Sequence, residues 1–191
     1  IVGSIQRLAA EMGYTPNAVA QSLKGQRSNT IGLVVTSIAD PFYGRLARGV
    51  DEVAKRAGLD VFLGVSYNDE AAELAVIRSF QRRRVDGIIT ASSRLTDPSL
   101  DKLGQLGVPV VLVNQHADVT RHPFHSVQVD NAAGARLAVQ HLLELGHSAI
   151  AYLGAPNRPR SNRQREQGYR AALAAAGIAV QDGFVQQAAP E

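Results

Sequence analysis

The sequence predicts an α/β fold, a doubly wound parallel sheet with helices on both of its faces. Three observations carry that prediction. From Ile31 onward, short runs rich in Val, Ile and Leu alternate with longer segments whose apolar residues recur at helical spacing. The short runs lack a polar alternate face, as strands covered on both sides do. The helical segments open on Asp or Asp-Pro and mostly close on Gly, and consecutive parallel strands need such a crossover helix between them.

Strands are predicted at Ile31–Thr36, Val61–Val65, Gly87–Thr90, Val108–Val113 and Val127–Val129. Asp40-Pro41 opens a helix with Leu46, Val50 and Val53 on one face, closing at Gly58, and Asp69 opens another carrying Leu74, Ile77 and Phe80. Asp97-Pro98 opens a third, with Leu100, Leu103 and Leu106 ahead of Gly107; Asp130 opens a fourth, with Leu137, Leu142 and Leu145 ahead of Gly146. The rhythm then resumes with a strand at Ser148–Leu153 and a helix opened by Ser161, with Gln164 completing a capping box.

Ahead of the sheet the chain has a different character. Ile1, Ile5, Leu8, Ala9 and Met12 mark a helix stopped by Gly13. Thr15-Pro16 then opens a second, Pro16–Lys24, closed by Gly25. A helix that short is marginal in water, where roughly 12 to 15 residues are needed, so Val19 and Leu23, four apart on one face, require a partner. The polar segment QRSNT links it to the first strand.

Composition bounds the function. The 191 residues are 45% hydrophobic and 19% charged, with a net charge of +3 and no cysteine. That is a globular balance with no disulfide framework and no thiol chemistry, and the mild positive charge permits nucleic-acid contact without demanding it. No apolar run approaches the roughly 18 residues of a membrane span and no signal peptide opens the chain, so a cytoplasmic protein without membrane contact is expected. Catalytic signatures are missing: no G-x-S-x-G elbow, no H-E-x-x-H, no phosphate-cradling glycine loop after the first strand. His116, His122, His125, His141 and His147 lack metal spacing, and His116 to His125 read as a solvated loop. A non-enzyme without metal or cofactor is expected.

Ligands of open α/β sheets bind outside the carboxyl ends of the strands. Those ends carry Ser37, Asp40, Phe42 and Tyr43, then Asn68 and Asp69, then Ser92 and Ser93, then Asn114 and Gln115. Hydroxyls, amides and aromatic faces suit a small polar ligand such as a sugar. Packing at a helix start explains Phe42 and Tyr43 equally well, loop capping explains the serines equally well, and Asp40 and Asp130 are better explained as helix caps. Arg82, Arg83 and Arg84 fit a helix C-terminus. Arg158, Arg160, Arg163, Arg165 and Arg170 flank a helix N-terminus suited to anions, so a phosphate- or carboxylate-bearing effector is one reading and solvated charge the better one for most of them.

One ordered set of motifs is more specific than any of these features. Gly13, Tyr14, Pro16, Asn17, Ala20, Ser22 and Leu23 are followed by Thr30, Ile31 and Gly32, then by VDGII at Val85–Ile89, PVVLVN at Pro109–Asn114, VDN at Val129–Asn131 and GH at Gly146–His147. Arg165, Gly168, Tyr169, Ala172 and Leu173 complete the set. Together they resemble the lactose-repressor (LacI/GalR) family of bacterial transcription regulators along essentially the whole chain.

The resemblance implies a domain plan: the last helix of a DNA-binding headpiece at 1–14, a hinge helix and linker at 15–30, and an effector lobe of the type I periplasmic-binding-protein kind at 31–147. An incomplete start of a second lobe follows at 148–191. The first headpiece helices and most of the second lobe would then lie outside this sequence. It implies a repressor-type regulator, working as a homodimer, whose affinity for operator DNA is set by a small polar effector held between two lobes. Asn17, Ala20, Leu23 and Lys24 would meet DNA, with Leu23 wedging into a base step of the minor groove. Phe42, Tyr43, Ser92, Asn114, Ser161 and Arg165 would meet the effector. Asn114 departs from the acidic residue commoner there, which puts a charged grip on ligand hydroxyls or amines in doubt. A sugar-binding transport protein of the same fold, or an α/β enzyme acting on a sugar or nucleotide, are the alternatives.

Overall fold

The computed structural model describes residues 7, 8, 11, 12, 27–91, 94–115, 124–154 and 159–188. Arg7, Leu8 and Glu11 are helical, with the Met12 amide donating to the Leu8 carbonyl at 3.0 Å. The predicted hinge helix lies outside the described residues, and with it Asn17, Ala20, Leu23 and Lys24.

The described chain forms two units, divided between Gln128 and Val129. In the first, β1 (Thr30–Val35), α1 (Pro41–Arg56), β2 (Asp60–Val65), α2 (Glu70–Arg82), β3 (Gly87–Ala91), α3 (Asp97–Gly104), β4 (Val110–Val113) and β5 (His125–Val127) follow in order. All five strands are parallel, in the order β2-β1-β3-β4-β5. The alternating pleat of β1 sends Leu33 and Val35 to one face and Val34 to the other. Leu33 and Val35 pack with Tyr43, Leu46 and Val50 of α1. On the opposite face Val34 and Ile88 join Ile77 and Phe80 of α2 and Leu100 and Leu103 of α3. Helices thus cover both faces, as the alternation of the sequence predicts. The α2 helix comes close because Gly32 leaves room: a Cβ there would fall inside the Phe80 ring.

The punctuation holds in detail. Asp40, Asp69 and Asp130 each accept a first-turn amide, from Phe42, Ala72 and Ala133 at 2.8, 2.6 and 2.8 Å. Gly58, Gly107 and Gly146 follow the helices at φ of +70°, +71° and +87°, the left-handed conformation that glycine adopts without strain. Some expectations shift. Thr96, not Asp97, is the residue ahead of α3. The last strand of the sheet lies at His125–Val127, two residues earlier than predicted, so His125 is a strand residue rather than loop.

The second unit holds α4 (Asn131–Glu144), β6 (Tyr152–Gly154), α5 (Pro159–Ala175) and β7 (Val185–Gln187), with β6 and β7 parallel. The helix opened by Asp130, placed by the sequence reading with the first lobe, groups here because its partner is α5. Val139 of α4 packs with Tyr169, Ala172 and Leu173 of α5 and with Ile150. The predicted strand Ser148–Leu153 is confined to Tyr152–Gly154. Helix α5 begins at Pro159, so Ser161 lies inside its first turn and not at the N-cap position that the expected capping box with Gln164 requires. Proline is favoured at a first helical position, which explains the earlier start.

Candidate functional site

The strand order reverses direction between β1 and β3, and in open α/β sheets ligands bind outside the carboxyl ends of the strands at such a reversal. The loop that leaves β1 at 36–40 stands at that end, as do residues 94–96 of the loop after β3. After β1, the Ser37 hydroxyl accepts the Ala39 amide at 3.1 Å and Asp40 caps α1. The two aromatics that follow separate. Tyr43 is 3% exposed and belongs to the core, while Phe42 is 40% exposed. Their rings meet edge to face at 5.1 Å, so the buried ring braces the exposed one.

After β2, Tyr67 and Asn68 take positive φ of 52° and 60°, and the Asn68 Oδ1 accepts from Arg94 Nη2 at 3.2 Å. After β4, Asn114 has φ 55° and its amide donates to the Val127 carbonyl at 2.9 Å, which holds the residue at the edge of the sheet. Gln115 follows, with a buried Oε1 that has no hydrogen-bond partner among the described residues. Ser92 and Ser93 lie outside the described residues.

The loop after β3 is anchored by two carboxylates that sequence reasoning missed. Glu73 of α2 is fully buried; its Oε1 accepts the Thr90 hydroxyl at 2.7 Å and its Oε2 the Arg94 amide at 2.9 Å. Glu70, one turn earlier, accepts from the Ser99 hydroxyl at 2.6 Å, the Thr96 amide at 3.0 Å and the Thr96 hydroxyl at 2.7 Å. A signal for Glu73 was present: it shares a helical stripe with Ile77 and Phe80, where a charge is out of place unless it is bonded.

Those bonds hold the Glu70 carboxyl below its ordinary range, the Ser99 hydroxyl contributing most, then the Thr96 amide and hydroxyl. A depressed folded pKa contributes stability that is full above the unfolded value, about 4.3, and is lost as pH falls through the folded value. Glu70→Gln is therefore expected to destabilise the first unit at neutral pH, and the gap to the parent should narrow below about pH 4.3. Denaturant midpoints measured at neutral and acid pH check this; a gap independent of pH would remove the carboxylate from the account.

In the second unit, Ser161 and Arg165 stand four residues apart on α5. Arg165 Nε donates to Asn131 Oδ1 at 3.0 Å, and Asn131 Nδ2 donates to Gln164 Oε1 at 3.1 Å and to the Val129 carbonyl at 3.3 Å. One edge of the guanidinium is thereby tied to the start of α4 and the fork of terminal nitrogens is left for other partners. Beside it, Tyr152 donates to Asn162 Oδ1 at 2.7 Å, and burial pushes the Tyr152 hydroxyl pKa up. Arg170 pairs with Glu166 at 2.9 Å and Arg83 lies over the Phe62 ring at 5.5 Å. These two arginines have local structural partners.

The family of periplasmic binding proteins and the sugar binding domain of the LacI family matches residues 28–191. The chain belongs to this family. It is 34% identical to the HTH-type transcriptional regulator GalS of Salmonella typhimurium over 188 residues, 98% of this chain and 55% of that protein. It is 32% identical to Catabolite control protein A of Priestia megaterium over 186 residues, 97% of this chain and 54% of that protein. Among solved structures, the complex of the transcriptional regulator CelR with cellobiose is similar, with a TM-score of 0.72 and 29% identity over 97% of this chain and 55% of that one. The LacI-family chain spans about half the length of the curated relatives it matches. The resemblance drawn from the ordered motifs is borne out, as is the parallel α/β fold. Among the described residues, no helix is long and apolar enough to cross a membrane.

Proposed function

We propose that the chain is part of a DNA-binding transcription regulator, a repressor, whose affinity for its operator is controlled by a small polar effector, a sugar or sugar derivative. The observation that supports this most is continuity. The family match begins at residue 28, where the linker meets β1, and proteins named as transcriptional regulators align with 94% or more of the chain. The transcriptional regulator CelR, to which the chain is similar, is solved as a complex with cellobiose. In this reading the protein is cytoplasmic, acts as a homodimer on a two-fold operator, and carries out no catalysis. Phe42 supplies an apolar face to a sugar ring, braced by Tyr43, and Ser92, Asn114, Ser161 and Arg165 supply hydrogen bonds to the effector. Asn17, Ala20, Leu23 and Lys24 meet DNA.

The test is selection of DNA from a random pool by the natural full-length protein, followed by comparison with Leu23→Ala. Loss of the wedge should weaken selected DNA by about tenfold or more and leave nonspecific binding nearly unchanged, since the protein can no longer stabilise the bent duplex. Equal affinity for selected DNA would overturn the role given to Leu23. For the effector, calorimetry should show Arg165→Ala weakening binding by about 1 to 3 kcal/mol, because polar ligand groups lose a charged donor in a desolvated site. An unchanged affinity would remove Arg165 from the site.

A further inference from the structure

At the opposite, amino ends of the strands, a cleft of about 710 Å³ opens beside the linker, lined in part by Arg27, Asn29, Arg84 and Asp86 over an apolar floor that includes Ile31 and Val108. One wall of that cleft is held by a single side chain. Asp86 precedes β3, next to Val85, which is buried in the core. Its Oδ1 accepts the Ser28 amide at 2.9 Å and the Ser28 hydroxyl at 3.2 Å, and its Oδ2 accepts the Asn29 amide at 2.9 Å. Its own amide donates to the Thr30 carbonyl at 2.7 Å. One residue therefore binds three consecutive residues of the chain as they enter β1.

The geometry does more than tether. Two adjacent amides received on the two oxygens of one carboxylate define a direction as well as a position, and hydrogen bonds to a charged acceptor are the stronger kind. Asn29 has φ +52°, so the chain turns there through a left-handed conformation that must be held. The Asn29 carbonyl is held from the other side by the Asp60 amide at 2.8 Å. Ser28 and Asn29 bury no apolar side chain, and the cleft next to them is open. Hydrogen bonds and not packing therefore set the direction of the linker, three of them to the Asp86 carboxylate, beside the Asp60 amide on the Asn29 carbonyl and the Ser28 and Thr30 hydroxyls 2.6 Å apart.

We propose that Asp86 is a positioning residue that fixes the direction in which the chain ahead of Arg27 leaves the sheet, and through it the spacing of the two DNA-contacting segments in a dimer. The inference rests on the proposed DNA-binding function for its consequence, and on the hydrogen bonds alone for its mechanism. The plain structural alternative, a cap on the start of β3, would place the effect of substitution on the sheet and not on the linker.

The experiment compares the parent with Asp86→Ala and Asp86→Asn in the full-length protein, using DNA selected from a random pool by the parent. Amide exchange by NMR is measured in parallel on the 191-residue chain. In Asp86→Ala the Ser28 and Asn29 amides should exchange about tenfold faster or more, the equivalent of one lost hydrogen bond, while Leu33 and Val34 keep their protection. Selected DNA should bind about tenfold more weakly and nonspecific DNA within about twofold. Asp86→Asn keeps the shape and one acceptor oxygen, so one of the two amides should stay protected and binding should fall between. If Asp86→Ala does not fold, Asp86→Asn decides by the same two readouts. Parent-like DNA binding in either variant that has lost amide protection overturns the proposal, and so does loss of protection throughout β1. If the parent itself selects no DNA, the functional reading fails, and the exchange pattern still decides whether Asp86 holds the linker.

Discussion

Replacing Gly168 by alanine is expected to destabilise the second unit by about 3 kcal/mol, the upper end of the usual range for overpacking. Gly168 sits where α5 crosses the first turn of α4. A Cβ there would press on the Ala132 carbonyl oxygen and lie 2.9 Å from its carbon and 3.1 Å from the Ala132 Cα. These are backbone atoms, so no rotamer can relieve the contact, and the two helices must move apart. Separation withdraws Tyr169, Ala172 and Leu173 from Val139 and Ile150, the core of the unit. It also strains the bond from the Tyr169 hydroxyl to the Ile150 carbonyl, 2.8 Å long in a buried site. Alanine gains about 1 kcal/mol over glycine as a helix former, so the measured loss is what remains after that gain. Gly134, on α4, is the control: a Cβ there meets nothing, and Gly134→Ala should be neutral or stabilising. The chain has no tryptophan, and the Tyr152 and Tyr169 rings lie 5.6 Å apart in this unit, so tyrosine fluorescence in urea reports on it. Equal urea midpoints for the two variants would show that the helices yield freely at Gly168.

The helices and central strands were legible in the sequence because each has a local cause. Asp40, Asp69 and Asp130 announce helix starts by chemistry that acts within three residues, and runs such as IGLVV have no second use. Where a local rule missed, a distant group had intervened. Thr96 stands in the N-cap position of α3 without a side-chain cap, its hydroxyl and amide both turned to donate to Glu70, 26 residues away. The strand at His125–Val127 has a single neighbour, β4, so its bounds follow from that pairing more than from its own apolar residues. The candidate site divides in the same way. The residue types at the strand ends were visible, and the burial of Tyr43 beside an exposed Phe42 was not, since both occupy the first turn of one helix. That Asn131 holds Arg165 across 34 residues of sequence is a fact of α4 against α5 that no spacing encodes. The strand order, which places the reversal between β1 and β3, follows from pairing alone.

Glu73→Ala is expected to have the largest effect in the first unit, about 4 kcal/mol, because it removes the acceptor for a buried hydroxyl and a part-buried amide at once. The Thr90 hydroxyl at 2.7 Å and the Arg94 amide at 2.9 Å lose their partner, and each unsatisfied group costs about 1 to 3 kcal/mol. The space vacated by the side chain adds a cavity term, since Glu73 is fully buried against the sheet. Opposing these, the substitution removes a carboxylate from a desolvated site, a release that keeps the net below the simple sum. Glu73→Gln separates the contributions. It fills the same volume and its oxygen can still receive the Thr90 hydroxyl, but its NH2 group then faces the Arg94 N–H, donor against donor. The glutamine variant should therefore lose about 1 to 3 kcal/mol, less than alanine, and the loss should centre on the loop after β3. Amide exchange at Arg94 should rise in both variants, while exchange at Thr90 should rise more in alanine. The loop concerned carries Ser92, a proposed effector contact, so under the proposed function effector affinity of the full-length protein is a second readout, expected to fall in both. If the glutamine variant is as stable as the parent and Arg94 stays protected, the charge on Glu73 is not what anchors the loop.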